Sequence, residues 1–255
     1  MRINISLLVN HATRLRDFVL DILFPIECAG CGSEGEWLCH KCFGKIKFKQ
    51  EQYCLHCKKE NKFGRFCPDC RPLYSLDGVL IAGDYDNRLI AKLIKNLKYN
   101  FVRDVAEDLG KFLILFLQNL KNESGFAEVV LAGGCHPLAD KNLIIPVPLH
   151  NKRRRWRGFN QAELIAREVS GYFNLELSAD KLIRIKYKTP QIKLSEVERK
   201  SNIIGCFGWR GENLNGRDVV LIDDIVTTGA TLNECAKVLK QNGAGKVWGL
   251  VAAKG

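Results

Sequence analysis

Four C-x-x-C pairs crowd into residues 28–70: Cys28/Cys31, Cys39/Cys42, Cys54/Cys57 and Cys67/Cys70. Each pair sets two thiolates on one tight knuckle, half of a tetrahedral Zn²⁺ shell. A segment this short has little apolar material, so a closed metal site must supply much of its folding free energy. Seven residues separate the first two pairs and nine the last two. The simplest arrangement is therefore two sequential Cys₄ sites. A cross-braced arrangement, first pair with third and second with fourth, is also compatible with the spacing. One or two Zn²⁺ ions are expected, in a structural role.

The N-terminus, MRINISLLVNHATRLRD, has only a short apolar patch broken by Asn4, Ser6 and Asn10, which does not read as a secretory signal. That favours metal over disulfides and a cytoplasmic location, with membrane association arising only through partners. The longest apolar run, 112–117, is too short to cross a bilayer, so no transmembrane segment is expected. Residues 11–24 read as an amphipathic helix, with Leu15, Phe18, Val19, Ile22 and Leu23 on one face and Pro25 as its stop. Cys135, Cys206 and Cys235 lack a C-x-x-C partner and are expected as buried small hydrophobes.

The formal net charge of +11 over 255 residues favours polyanionic partners. Much of the excess lies in the Cys-rich segment, in Lys45, Lys47, Lys49, Lys58, Lys59, Lys62 and Arg65, interleaved with Phe43, Phe48, Tyr53, Phe63 and Phe66. Cations between aromatic platforms suit single-stranded DNA. The same aromatics could instead pack on the metal knuckles, with the lysines merely solvated.

From about Ser75 the pattern changes to α/β. Val219–Ile222 reads as a buried strand with Asp223 and Asp224 at its carboxyl end. The turn Thr227-Thr228-Gly229-Ala230-Thr231 follows, then an apolar helical pattern in which Thr231 and Glu234 have capping-box spacing. Small turn residues let N–H groups point at a phosphate ahead of a helix N-terminus. Carboxylates beside them suit a sugar diol or Mg²⁺. The stretch thus reads as a ribose-phosphate site.

A second candidate begins at the strand Leu143–Leu149. Lys152, Arg153, Arg154, Arg155 and Arg157 make the densest positive cluster in the chain, and Asn160 with Glu163 resembles a capping box. This basic loop reads as an anion site, with Arg153 and Arg154 as further DNA contacts. Residues 184–207 read as a mobile loop, from which Arg184, Gln191 and Arg199 would reach over a ligand. There is no Walker P-loop and no G-x-G-x-x-G, so neither intrinsic ATPase nor dinucleotide chemistry is supported.

VLIDDIVTTGATL resembles the phosphoribosyl pyrophosphate (PRPP) loop of type I phosphoribosyltransferases. The wider chain resembles the ComF family of late-competence proteins: LFPIECAGC with further C-x-x-C pairs, a helix ending LKY, IPVPLH with RRRWRGFNQAELIA, TPQ at 189–191, and ERKSN at 198–202. The resemblance implies an α/β, type I phosphoribosyltransferase-like fold, a mainly parallel sheet with helices on both faces, preceded by a small Cys-rich zinc-ribbon domain. The expected division is an N-terminal helix (1–24), a double zinc ribbon (25–75) and a phosphoribosyltransferase-like domain (76–255).

The resemblance further implies PRPP or a related phosphoribosyl ligand, with Mg²⁺, on Asp223, Asp224 and Thr227–Thr231. Pyrophosphate would lie along Val147, Pro148, Leu149, Arg155, Arg157, Gly158, Asn160 and Gln161. It implies a role in DNA uptake and natural transformation through single-stranded DNA, with a DNA-uptake helicase or recombination mediator as further partner. The alternatives are an active Mg²⁺-dependent phosphoribosyltransferase of unknown acceptor, or a zinc-stabilised adaptor that docks the helicase. Any cover over an acceptor base is expected from residues 84–101, where no motif names a base.

Overall fold

A computed structural model describes residues 25–61, 63–122, 142–186 and 203–255. The helix expected over 11–24, Cys135, Lys62, Gln191 and Arg199 lie outside the described residues. The chain divides into two compact units, 1–46 and 47–255.

In the first unit Cys28, Cys31, Cys39 and Cys42 converge beside a single helical turn, α1 (His40–Phe43). A bridge between Glu27 and Glu34 closes the first knuckle, and Leu38 and Ile46 are buried.

The second unit is built on β1 (Gly78–Asp84), β2 (Leu143–Pro146), β3 (Glu176–Leu177), β6 (Val219–Val226) and β7 (Val247–Lys254). They form a five-stranded sheet in the order β1-β7-β6-β2-β3, every neighbouring pair parallel. β6 and β7 are almost wholly buried along their length, as parallel strands covered on both faces must be. Helix α6 (Ala230–Gln241) covers one face, where Leu232, Cys235 and Leu239 pack with Val219, Leu221 and Val251. Helices α3 (Val105–Asn122) and α5 (Gln161–Phe173), which pack on each other, cover the opposite face, with α2 (Arg88–Tyr99) against α3. A separate antiparallel pair, β4 (Leu182–Arg184) and β5 (Phe207–Trp209), lies against α6.

The segment that carries the second Cys₄ cluster is part of this larger core. Cys54, Leu55, Phe66 and Cys70 are buried with Leu76, Val79 and Leu232. It also covers the exposed edge of β1. The buried Gln52 side chain exchanges hydrogen bonds with both backbone groups of Ile81, at 2.9 and 3.0 Å, and the Lys49 N–H donates to Ala82. An edge strand left bare would invite pairing with another chain.

Four local expectations change. β6 runs on to Val226, because β7 keeps pairing with it as far as Lys254. The carboxylates therefore stand inside the strand, not beyond it. The basic loop contains a helix, α4 (Asn151–Arg157), capped by the His150 ring and ended by Gly158 at φ +82°. Arg184 and Phe207, placed in a mobile loop by their polar surroundings, lie in paired strands. The Thr231/Glu234 box does not form: Gly229 is the N-cap of α6, and the Glu234 carboxylate accepts the Gly205 N–H at 2.7 Å. Cys206 and Cys235 are fully buried, as expected.

Candidate functional site

After β2 the chain moves outward to β3; after β6 it moves the other way to β7. The adjacent carboxyl ends of β2 and β6 thus form a topological switch point, where open α/β sheets bind ligands. The loops leaving these two ends are Val147–His150 and Thr227–Gly229.

On the β6 side, Thr227 is exposed, Thr228 and Thr231 are half-buried, and Gly229 holds φ +77°. A Cβ at Gly229 would stand 2.4 Å from Leu55 Cδ2, so both conformation and space require glycine here. Among the described residues no side chain caps α6; Thr228 Oγ1 approaches the Ala230 N–H at 3.4 Å. The first turn of the helix therefore offers backbone donors and the positive end of its dipole to an anion. Ala230 opens that turn, half-buried.

On the β2 side, Val147 is buried and Pro148 and Leu149 are half-buried. Asn160 ties this loop to α5: its Nδ2 donates to the Val147 carbonyl at 3.1 Å, and its Oδ1 accepts the Ala162 N–H at 3.3 Å. Asn160 is a true N-cap, but Glu163 does not complete a box; it pairs instead with Arg167 at 2.7 Å and Arg154 at 3.4 Å. Arg157 is buried and donates to the buried Gln161 side chain. Arg155 is exposed.

Among the described residues, Arg157 Nε and Arg184 Nε are buried guanidinium donors without acceptors, as are Nε and Nη2 of Arg65 in the ribbon. Buried polar groups nearly always have partners, and unsatisfied ones mark places where a partner is missing. Burial lowers the pKa of Arg157 and Arg184; Arg153 lowers both further, and Asp223 opposes the shift. An arginine stays charged despite such shifts, so both sites attract an anion. The Arg184 guanidinium also lies 5.5 Å over the Phe207 ring.

Because side chains alternate along a strand, Asp223 and Asp224 leave opposite faces of the sheet. Asp224 is buried and pairs with Lys98 of α2 at 2.7 Å. Asp223 lies on the α6 side, with Oδ1 accepting the Asp224 N–H at 2.9 Å. Burial and the Asp224 carboxylate push the Asp223 carboxyl well above the usual range, against the opposing Lys98. Lys98 is the site residue that sequence reasoning missed. Its only sequence signal was its place in the LKY that ends α2.

The cysteines form two sequential clusters, Cys28/Cys31/Cys39/Cys42 and Cys54/Cys57/Cys67/Cys70, with all sulfurs of a cluster within 4.8 Å of one another. The cross-braced alternative is thereby removed. Thiolate donors at this spacing fit tetrahedral Zn²⁺. Burial would raise the Cys28 and Cys54 thiols, but backbone N–H groups outweigh it: those of Cys31, Cys39 and Gly30 bring Cys28 to about 6, and those of Cys57, Cys67 and His56 bring Cys54 to about 7. In each cluster another thiol moves the other way: burial and the neighbouring cysteines push Cys42 up to about 12, and the neighbouring cysteines with burial push Cys70 up.

Lys49 and Lys58 each lie 5.5 Å over the ring of the half-buried Tyr53. Phe63 and Phe66 are buried, Phe66 stacks on Tyr74, and Phe48 stacks on Phe112 of α3. Phe63 and Phe66 are thus packing, while Phe43, Phe48 and Tyr53 stay half-buried. Of the cations, Lys49 pairs with Asp84, Arg65 lies over the Trp248 ring and Lys58 donates to the Leu55 carbonyl. Lys45, Lys47, Lys58 and Lys59 are exposed; Arg153 is half-buried and Arg154 exposed. Among the described residues no helix is long and apolar enough to cross a membrane.

Residues 19–71 match the family described as the double zinc ribbon domain, and residues 157–252 match the phosphoribosyl transferase domain. The chain is 31% identical to Competence protein F of Haemophilus influenzae over 222 residues, 85% of this chain and 90% of that protein. It is 27% identical to Competence protein ComFC of Bacillus subtilis over 82% of this chain and 80% of that protein. Identity to DNA utilization protein YhgH of Escherichia coli K12 is 31%, over 62% of this chain and 64% of that protein.

Proposed function

The chain belongs to the competence protein F family, and from that premise we propose that it handles single-stranded DNA during DNA uptake, beside a pocket that binds PRPP or a related phosphoribosyl ligand. The observation that carries the pocket is that Arg157 Nε and Arg184 Nε, buried and without acceptors among the described residues, stand at the switch point that also holds the N-terminus of α6. The 5-phosphate of the ligand would take the Thr227–Thr231 turn. Its pyrophosphate would take Arg157, Arg184 and the Val147–Leu149 loop, with Gln191 and Arg199 as further candidates. The ribose hydroxyls would take Asp223 and Asp224. Mg²⁺ fits through Asp223 together with the ligand's own phosphate oxygens, since Mg²⁺ is usually held by one or two carboxylates plus substrate phosphates.

Calorimetric titration with PRPP, with and without Mg²⁺, tests the pocket. Saturable binding is expected, strengthened by Mg²⁺ and weakened at least tenfold by Asp223→Ala/Asp224→Ala. No heat from the unaltered protein would sink it. The relatives' names, competence and DNA utilization, support the DNA role, as does the net charge of +11.

One feature favours a second reading, an active phosphoribosyltransferase: Arg157 and Arg184 would stabilise charge on departing pyrophosphate while an acceptor attacks the anomeric carbon. Pyrophosphate release from PRPP in the presence of candidate acceptors separates the two readings.

A further inference from the structure

Three large aromatic side chains are exposed near the crevice: Tyr99 (61%), Phe101 (40%) and Trp156 (62%). The Phe101 and Trp156 rings meet edge to face, 5.0 Å between centroids at 75°. Each end of this group is anchored in the pocket by a sequence neighbour. Lys98, beside Tyr99, pairs with Asp224. Arg157, beside Trp156, is buried within reach of the Asp224 carboxylate.

Phe101 holds φ +58°, a backbone conformation rarely adopted by a bulky residue. Strain of this kind persists where the surrounding structure imposes it, and it clusters at binding sites. The same short helix that presents Trp156 carries Lys152, Arg153, Arg154 and Arg155. Arg154 is shared with Glu163 at 3.4 Å. Exposed aromatics beside a run of cations combine a stacking surface with a phosphate track, the pairing that single-stranded nucleic acid requires.

We propose that Phe101 and Trp156 form a stacking platform for an unpaired base of a DNA strand, with the neighbouring phosphates running along Lys152–Arg155. A strand fits better than a free base because the exposed Arg155 and half-buried Arg153 beside the platform suit phosphates, which a neutral base lacks. The proposal rests on the DNA-handling reading above and locates it on the phosphoribosyl domain, away from the ribbon's buried aromatics.

The test compares two labelled strands of equal length at one salt concentration, oligodeoxythymidylate and its abasic analogue, on the zinc-loaded full chain. The unaltered protein is expected to bind the thymidylate strand at least tenfold more tightly. Trp156→Ala and Phe101→Gly should each cut that ratio to threefold or less and leave abasic-strand affinity unchanged. Glycine at 101 also accommodates the positive φ, and unchanged melting confirms that both variants fold. Equal binding of the two strands by the unaltered protein, or variants that keep the full ratio, overturns the platform alone. Binding of neither strand overturns the DNA-handling reading itself. Quenching of the Trp156 emission by free thymine at the strand's own concentrations overturns the strand as occupant.

Discussion

Lys98 and Asp224 form an ion pair with little access to water, their side chains 17% and 2% exposed. Removing one partner strands the other charge. Asp224→Ala should therefore cost about 3 kcal/mol in urea unfolding, and Lys98→Met/Asp224→Leu should recover most of it. Asp223 behaves differently, because burial raises its carboxyl pKa on folding. Its neutral form suits the fold: stability is fully present below the ordinary carboxyl pKa of about 4 and falls as pH rises from there toward the raised value. Asp223→Asn should remove that fall. The urea midpoint of the variant should exceed that of the unaltered protein at pH 8, and the gap should close at pH 4. At this scale the sequence showed two adjacent carboxylates, but not that they part to opposite faces. Lys98 was harder to see. The apolar stripe of α2, Leu89, Leu93 and Leu97, assigns a lysine next to it to solvent, and only the packing of α2 brings it onto Asp224.

Among elements, the strand-turn-helix around β6 was readable because hydrophobic run, small-residue turn and helical pattern follow one another in order. Its details were not. A strand read from burial alone stops at its first polar residue, whereas pairing with β7 carries it through both aspartates. A capping box read from spacing alone ignores that Glu234 has a better use, the Gly205 N–H. Two sequential Cys₄ sites were legible from loop lengths, but the burial of Cys54, Leu55 and Cys70 in the core of the α/β unit was not, since it depends on contacts far apart in sequence. Metal analysis of the purified chain should give two zinc ions. Cys54→Ser/Cys57→Ser should lower the melting temperature of the α/β unit by several degrees, because the knuckle is part of its core. Unaltered melting would show that the knuckle packs without supporting the sheet.

For the whole molecule, the alternation of strands and helices after Ser75 implied an α/β unit, the family resemblance implied its parallel sheet, and the order of chain crossings puts the crevice between β2 and β6. Net charge was less informative about place. It predicted a polyanion without saying where one binds, and it drew attention to the ribbon, where Phe63 and Phe66 turn out to be interior. Single-strand binding should weaken with salt along a log–log slope of about −0.7 per phosphate contact, so four cations of α4 should give about −3. Arg153→Ala/Arg154→Ala should bring that slope near −1.5, and a slope left unchanged would place the phosphate track elsewhere.

The contact between Leu55 and Gly229 makes one wall serve two sites. Leu55 belongs to the knuckle that Cys54 and Cys57 close, and Gly229 shapes the turn that would receive the 5-phosphate. Anything that stiffens one side then stiffens the other, and the coupling must be reciprocal. Saturating PRPP should tighten zinc at one of the two sites in an equilibrium competition with a chelator. Stripping zinc from Cys54–Cys70 should weaken PRPP by the same factor. Metal occupancy and ligand occupancy would then be two readings of a single mechanical state of the protein.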